Sequence, residues 1–231
     1  MGVKERRERE KSETRDKILD AARELFISEG YEGVSMRKVA EKIEYSPTAI
    51  YVYFADKNEL FHELCHQDYA RLAAVFRSSV ISTDPIERLK QIGAIYVDFG
   101  ARYPNHYKFM FMTPHPGLGP HEDDEEIKGN PEEDAYAFLK WAALQAIDAG
   151  CFREELRDSE IISQTLWAAV HGVISLHIAK CKDAWVQWRP LGDRAQMMLD
   201  VTLRGMMRQK SALLAKPARN EATGHGEQED Q

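Results

Sequence analysis

The tetrapeptide Glu44-Tyr45-Ser46-Pro47 interrupts an apolar-periodic stretch from Val34 to Leu60, and it narrows the local architecture to a helix, a three-residue turn and a second helix. Ser35 is placed to cap the first helix, after which Val39, Ala40 and Ile43 fall on one face. Glu44-Tyr45-Ser46 is the turn. Ser46 is placed to cap the second helix, and Pro47 suits its first position, where a missing backbone N–H costs nothing. Ile50 and Phe54, four residues apart, pack inward. Pro47, Thr48, Ala49, Tyr51, Val52 and Tyr53 are left facing outward or sideways. A short helix that exposes a Thr, a small Ala and two Tyr hydroxyls suits a major groove: small residues permit close approach, and hydroxyls reach phosphates or base edges. A plain helical hairpin with surface tyrosines explains less, because Arg37, Lys38, Lys42 and Lys57 crowd the same aromatics. A helix-turn-helix that grips double-stranded DNA is the expectation.

From about Thr14 to Leu64 the chain resembles the TetR family of bacterial transcriptional regulators. The resemblance rests on I-L-D-A-A-R-E-L-F-I-S-E-G-Y at Ile18 to Tyr31, S-M-R-K-V-A at Ser35 to Ala40, I-Y-V-Y-F at Ile50 to Phe54 and D-K-N-E-L at Asp56 to Leu60. It implies that Tyr51, Tyr53 and Lys57 touch phosphates and that Ser35, Arg37 and Thr48 reach DNA. With their neighbours, the expected DNA-binding set is Ser35, Arg37, Lys38, Ser46, Pro47, Thr48, Ala49, Tyr51, Tyr53 and Lys57. Two residues depart from the family pattern. Glu44 stands where a turn glycine is common, which raises the cost of any left-handed backbone there. Ala49 stands where Thr or Ser is common, which removes one hydrogen bond to DNA.

The remaining composition fits a cytoplasmic protein. A 231-residue chain that is 43% hydrophobic can hold one small and one medium unit, and no apolar run approaches the roughly 20 residues of a membrane span. The first fifteen residues are charged, unlike a signal peptide. Cys65, Cys151 and Cys181 are odd in number and far apart, which argues for reduced thiols and against a disulfide framework or zinc site. A net charge of −7 does not oppose DNA binding, since what matters is where the cations sit. They surround the helix-turn-helix, whereas acid concentrates at His121 to Glu126 and in the C-terminal tail. The mixed-charge leader Lys4 to Lys11 has two readings. Arg6, Arg7 and Arg9 could form a mobile arm for a minor groove, or the leader could be a solvated extension of the first helix, which its interleaved Glu residues favour.

Beyond Leu64 the pattern is helical throughout. Helices are expected from Lys57 to about Val80, Asp84 to Arg102, Asn105 to Met112, Pro131 to Ala149, Ser159 to Cys181 and Leu191 to Gln209. A Pro/Gly/acid-rich loop covers Thr113 to Asn130, and a polar, disordered tail follows about Lys216. The fold class is thus all-α with about nine helices. Residues 1–13 form the charged extension, 14–62 the helix-turn-helix unit, 63–213 a helical ligand-binding and dimerisation unit and 214–231 the tail. Tyr103 to Phe111 and Leu166 to Ile174 also resemble a C-terminal subgroup of the family marked by Trp-x-x-x-His-Gly.

The family plan implies an inducer site and a homodimer. Tyr96, Phe99, Tyr103, Tyr107, Phe111, Met112, Trp141, Leu144, Trp167 and His171 are the candidate ligand-binding residues. They combine bulky apolar surface with a few polar tips, although most such residues at helical spacing are simply core. A largely apolar small-molecule ligand, hydrogen-bonded at one end by Tyr or His, follows. Trp167, Ala168, His171, Gly172, Ser175 and Ile178, with Leu191, Ala195, Met198, Leu199, Thr202 and Met206, form the expected four-helix dimer contact. Twofold symmetry sets two recognition helices roughly 34–36 Å apart and calls for a palindromic operator. The expected function is a repressor that ligand releases; an activator would use the same grip. No cofactor, metal or membrane partner is expected. The rival reading, a metal-dependent sensor or enzyme built on His106, His115 and His121, lacks any H-x-x-x-H or H-E-x-x-H pair.

Overall fold

The computed structural model describes residues 2–114, 116 and 127–208. His115, His121, most of the predicted loop and the whole predicted tail lie outside the described residues. Nine α-helices are present among them: α1 (Val3–Gly33), α2 (Met36–Lys42), α3 (Pro47–Ile50), α4 (Lys57–Ser79), α5 (Pro85–Arg102), α6 (Pro104–Met112), α7 (Ala135–Asp148), α8 (Ser159–Lys180) and α9 (Leu191–Met206). No strand is present among them; Phe152 and Met207 form one isolated bridge.

Side-chain caps start six of these helices. Ser35 and Ser46 cap α2 and α3, and Asp56, Asp84, Asp134 and Asp158 accept from the free backbone N–H groups of α4, α5, α7 and α8. An acid there also meets the positive end of the helix dipole. The leader is helical: α1 runs through it without a break, with Arg6–Glu10 and Arg9–Glu13 ion pairs one turn apart, and bends only at Gly30 (φ 70°). The second helix of the helix-turn-helix is shorter than the spacing suggests. α3 closes after four residues, and Tyr51 to Tyr53 form turns in which the N–H groups of Tyr53 and Phe54 both reach the Ile50 carbonyl. Two aromatics and a β-branched Val in a row are poor at propagating a helix.

Glu44 adopts φ 61°, alone among the non-glycine residues described. Its left-handed backbone is the strain expected from Glu in the place of Gly. Glu44→Gly is therefore expected to stabilise the protein by about 0.5–1 kcal/mol, strain relief outweighing the greater backbone freedom of Gly in the unfolded chain. Urea unfolding at unchanged slope reads this out; a lower midpoint would contradict it.

The head core gathers Ile18, Leu19, Ala22 and Phe26 of α1, Val39 and Ala40 of α2, Ile50, Phe54, and Leu60, Phe61 and Leu64 of α4. In the body, α5 is central and packs on α4, α6, α7, α8 and α9. Head and body meet where Phe109 of α6 contacts Phe26 and Phe61, ring centroids 6.1 and 5.2 Å away. Beside this contact, buried Arg23 of α1 donates through Nε and Nη2 to Asp68 of α4 at 3.0 and 2.9 Å, and His106 Nδ1 of α6 lies 2.7 Å from the same carboxylate.

One expectation is amended. α8, 22 residues long, is long and apolar enough to cross a bilayer by length and composition. The scattered His171 and His177 kept its apolar stretch from standing out. The helix packs against α5, α7 and α9, as the core helix of an all-α body does.

Candidate nucleic-acid interface and ligand cavity

The outer surface of α2 and α3 is polar and cationic. Arg37 projects from α2 with its side chain 79% exposed, held only by Glu41 one turn on, at 2.8 Å. Pro47, Thr48 and Tyr51 are exposed, the last at 53%. Ser35 and Ser46 are exposed too, but their hydroxyls accept from Lys38 N and Ala49 N, both at 3.3 Å. Ala49 and Tyr53 are half-buried, Tyr53 against the head core. Lys38 is tied to Glu29 at 2.5 Å and to the Gly33 carbonyl at 2.8 Å. Lys57 donates to the Tyr31 carbonyl at 3.0 Å while its Nζ sits 4.0 Å from the Tyr31 ring centroid. The spacing does not disclose that both lysines also brace the head. Nor does it single out Tyr45, exposed in the turn, whereas Val52 is exposed after Tyr51 as its spacing suggests.

Within the body, α4, α5, α7 and α8, with Phe111 of α6 and Leu199 of α9, line a half-open cavity of about 120 Å³, walled almost wholly by apolar side chains. A space of this order holds about one benzene-sized ring and falls below the ~300–1,000 Å³ of most ligand pockets. Tyr69, Leu72 and Phe76 form the α4 wall, and Leu89, Ile92, Gly93 and Tyr96 the α5 wall. Tyr69, Phe111 and Trp167 separate the cavity from an outer groove that Met110, Gln164, Ala168 and His171 complete. The Phe111 ring meets Tyr69 and Trp167 edge-on, with centroids 5.9 and 5.8 Å apart.

A polar cluster borders the groove. Trp167 Nε1 donates to Tyr96 Oη at 2.9 Å, Tyr96 Oη lies 3.0 Å from Tyr107 Oη, and His171 Nδ1 lies 2.6 Å from Tyr107 Oη and 3.2 Å from Tyr96 Oη. Burial pushes Tyr96 up to about 12 and Tyr107 higher still, so both hydroxyls keep their protons.

Residues 18–64 match the family described as bacterial regulatory proteins, tetR family, and residues 89–201 match its tetracyclin repressor-like C-terminal domain. The chain belongs to the TetR family. The transcriptional repressor AcnR of Corynebacterium diphtheriae is 42% identical over 66 residues, 29% of this chain and 35% of that protein. The transcriptional regulator UidR of Escherichia coli K12 is 35% identical over 86 residues, 37% of this chain and 38% of that protein. The chain thus spans little more than a third of the curated relatives it matches. The TetR family regulator PfmR of Thermus thermophilus superposes with a TM-score of 0.63 over 84% of this chain and 97% of that one; at 22% identity it shows the shared fold. The family and these relatives are regulators, not enzymes.

Of the ten ligand candidates, this TetR-family body brings Tyr96, Phe111 and Trp167 to the cavity and His171 to the groove. It places the other six elsewhere. Phe99 and Tyr107 are fully buried in the core, although Tyr107 reaches the polar cluster. Tyr103 lies at the surface beneath Arg71, and Trp141 beneath Arg88. Met112 and Leu144 are exposed. The missed wall residues Tyr69, Leu72 and Phe76 recur at three and four residues, the same signal that an ordinary core stripe gives. Of the three histidines weighed for metal, His106 pairs with Asp68; among the described residues no three His, Cys, Asp or Glu side chains group to hold an ion.

Burial lowers the pKa of His171 below its ordinary value, and burial with Arg194 nearby lowers that of His177. With a depressed folded value, the unfolded chain binds more protons between that value and the ordinary ~6.5, so this contribution is full above ~6.5 and is lost on acidification. His171→Phe is expected to flatten the fall in urea midpoint between pH 7.5 and pH 5 relative to the parent, whatever it does to the midpoint itself. An unchanged slope would remove His171 from the acid response.

Proposed function

We propose that the chain is a homodimeric DNA-binding transcriptional regulator, acting as a repressor at a palindromic operator and released by a small, largely apolar ligand. The observation that carries this reading is the exposed surface of Arg37, Thr48 and Tyr51 on a capped helix-turn-helix. The repressor named among its relatives favours repression over activation. Such a protein works in the cytoplasm. The Trp167-Ala168-Ala169-Val170-His171-Gly172 run supports assignment to the Trp-x-x-x-His-Gly subgroup, and its fourfold spacing sets Trp167 and His171 on one helix face.

The dimer contact is assigned to the outer faces of α8 and α9. Ile161, Ala168 and Leu176 are exposed on α8, and Met197, Met198 and Val201 on α9. Around Gly172 and Gly205 an added Cβ would meet nothing within 4 Å, leaving room for another helix to approach closely. This revises the set expected from spacing: Ala195, Leu199 and Met206 are buried inside their own protomer, and Trp167 and His171 serve the polar cluster.

Coupling is assigned to α4, which carries Lys57 in the head and Tyr69, Leu72 and Phe76 in the cavity wall. A ligand that prefers the DNA-free arrangement tenfold shifts the balance by about 1.4 kcal/mol. The test is binding of the purified protein to DNA from its own upstream region, across a salt series and with footprinting. Tight, salt-sensitive protection of a twofold-symmetric sequence is expected. Binding no better than to random DNA there and across a genomic selection would reject the reading.

A further inference from the structure

Counting protons in the Trp167–Tyr96–Tyr107–His171 cluster fixes the state of the histidine. Trp167 Nε1–H, Tyr96 Oη–H and Tyr107 Oη–H supply three protons, and Tyr96 Oη, Tyr107 Oη and His171 Nδ1 are the three acceptors within reach. Were Nδ1 to carry a proton, four protons would compete for two oxygens and one buried hydroxyl would be left unpartnered, at a cost that folded proteins avoid. Nδ1 is therefore bare, and in the neutral ring the proton sits on Nε2. That nitrogen has no hydrogen-bond partner among the described residues, and His171 lines the outer groove.

From this juxtaposition we infer that His171 Nε2–H is a preset donor for a single oxygen acceptor on the ligand, a carbonyl in particular, whose apolar body passes Phe111 and Trp167 into the inner cavity. The inference rests on the ligand-responsive reading above and names the ligand class: an uncharged, ring-sized or slender apolar molecule with one hydrogen-bond acceptor at its end. A ligand ending in an ammonium group is disfavoured at this position, because His171 would offer it a donor. Trp167 and Tyr96 act as positioning residues, holding the tautomer through Tyr107, as partners of one ring nitrogen commonly decide the state of the other.

Acetophenone and α-methylstyrene test this, since they differ only by C=O in place of C=CH2. Both are titrated into the full-length protein carrying ¹⁵N-labelled histidine, with the His171 resonances assigned by their loss in His171→Phe. The free protein is expected to show the Nε2–H tautomer. Acetophenone is expected to bind on the order of tenfold more tightly than α-methylstyrene and to shift Nε2, with the preference lost in His171→Phe and reduced in Tyr107→Phe. An Nδ1–H tautomer, or equal affinity for the two probes in the parent protein, overturns the inference and leaves the ligand-binding reading standing. Failure of both probes to bind, at a concentration that saturates a benzene-sized cavity, overturns both.

Discussion

Asp68→Ala is expected to lower the free energy of unfolding by about 3–5 kcal/mol, because it leaves a guanidinium buried without its counter-ion. Arg23 and Asp68 are 4% and 1% exposed, and two parallel N–H···O bonds join them. Asp20, which accepts from Arg23 Nη1 at 2.6 Å, is itself 73% exposed and too well hydrated to replace Asp68. The loss should appear as a lower urea midpoint. Replacing all three members, with Arg23→Met, Asp68→Leu and His106→Phe, should recover most of it, since apolar residues of similar volume often substitute for a buried pair at little cost. A single variant within 0.5 kcal/mol of the parent, roughly what a surface substitution costs, would mean that water reaches Arg23 and that the pair is not a structural tie.

The second large effect concerns DNA. In the proposed dimer each head substitution counts twice. If Arg37 reaches the duplex, Arg37→Ala should cost roughly 2–4 kcal/mol per dimer, about 30- to 900-fold in operator affinity, and flatten the salt dependence by about two counterions. Tyr51→Ala should weaken binding while leaving that slope nearly unchanged, because a hydroxyl neutralises no phosphate charge. Neither residue supports the fold through a contact that would confuse the measurement. Lys57→Ala differs: its ammonium holds the Tyr31 carbonyl and ring, so affinity and unfolding midpoint should fall together. Unchanged affinity and slope in Arg37→Ala would take that residue out of the interface.

Local signals made much of this molecule legible. Ser35, Ser46, Asp56 and Asp84 announce helix starts, and Tyr103-Pro104 announces a break, because caps and prolines act through covalent geometry within a few residues. The observed starts of α4, α8 and α9 fall on expected residues, and α5 begins one residue after Asp84, which caps it. Tertiary partners are what spacing cannot supply. Lys38 and Lys57 stand beside the recognition helix in sequence, yet each is claimed by a carbonyl of the head, Gly33 or Tyr31. On α9 the apolar period marks a face without saying whether the covering surface is the same protomer or another. Ala195 and Leu199, expected at the dimer contact, turn inward, while Met197 and Val201, each two positions on, turn outward. A cavity is harder still, being defined by atoms that fail to meet.

The close packing of α5 makes the two sides of that cavity mechanically unequal. A Cβ on Gly93 would lie 2.4 Å from Leu199 Cδ2, and one on Gly100 would lie 2.6 Å from Ile174 Cγ1 and 2.8 Å from Tyr107 Cδ2. α5 is therefore seated on α6, α8 and α9 with no slack, and packed interiors resist compression. α4 faces it across the cavity, joined through Tyr69 Oη to the Met110 carbonyl and through Arg77 to the Glu132 carbonyl, and nearer the head through Asp68 to Arg23 and His106. An occupant larger than the resting void is expected to find room on the side of α4 and α7 and not from α5. Displacement on that side is expected to reach the helix-turn-helix unit directly, because α4 starts at Lys57 within that unit and runs on as the cavity wall.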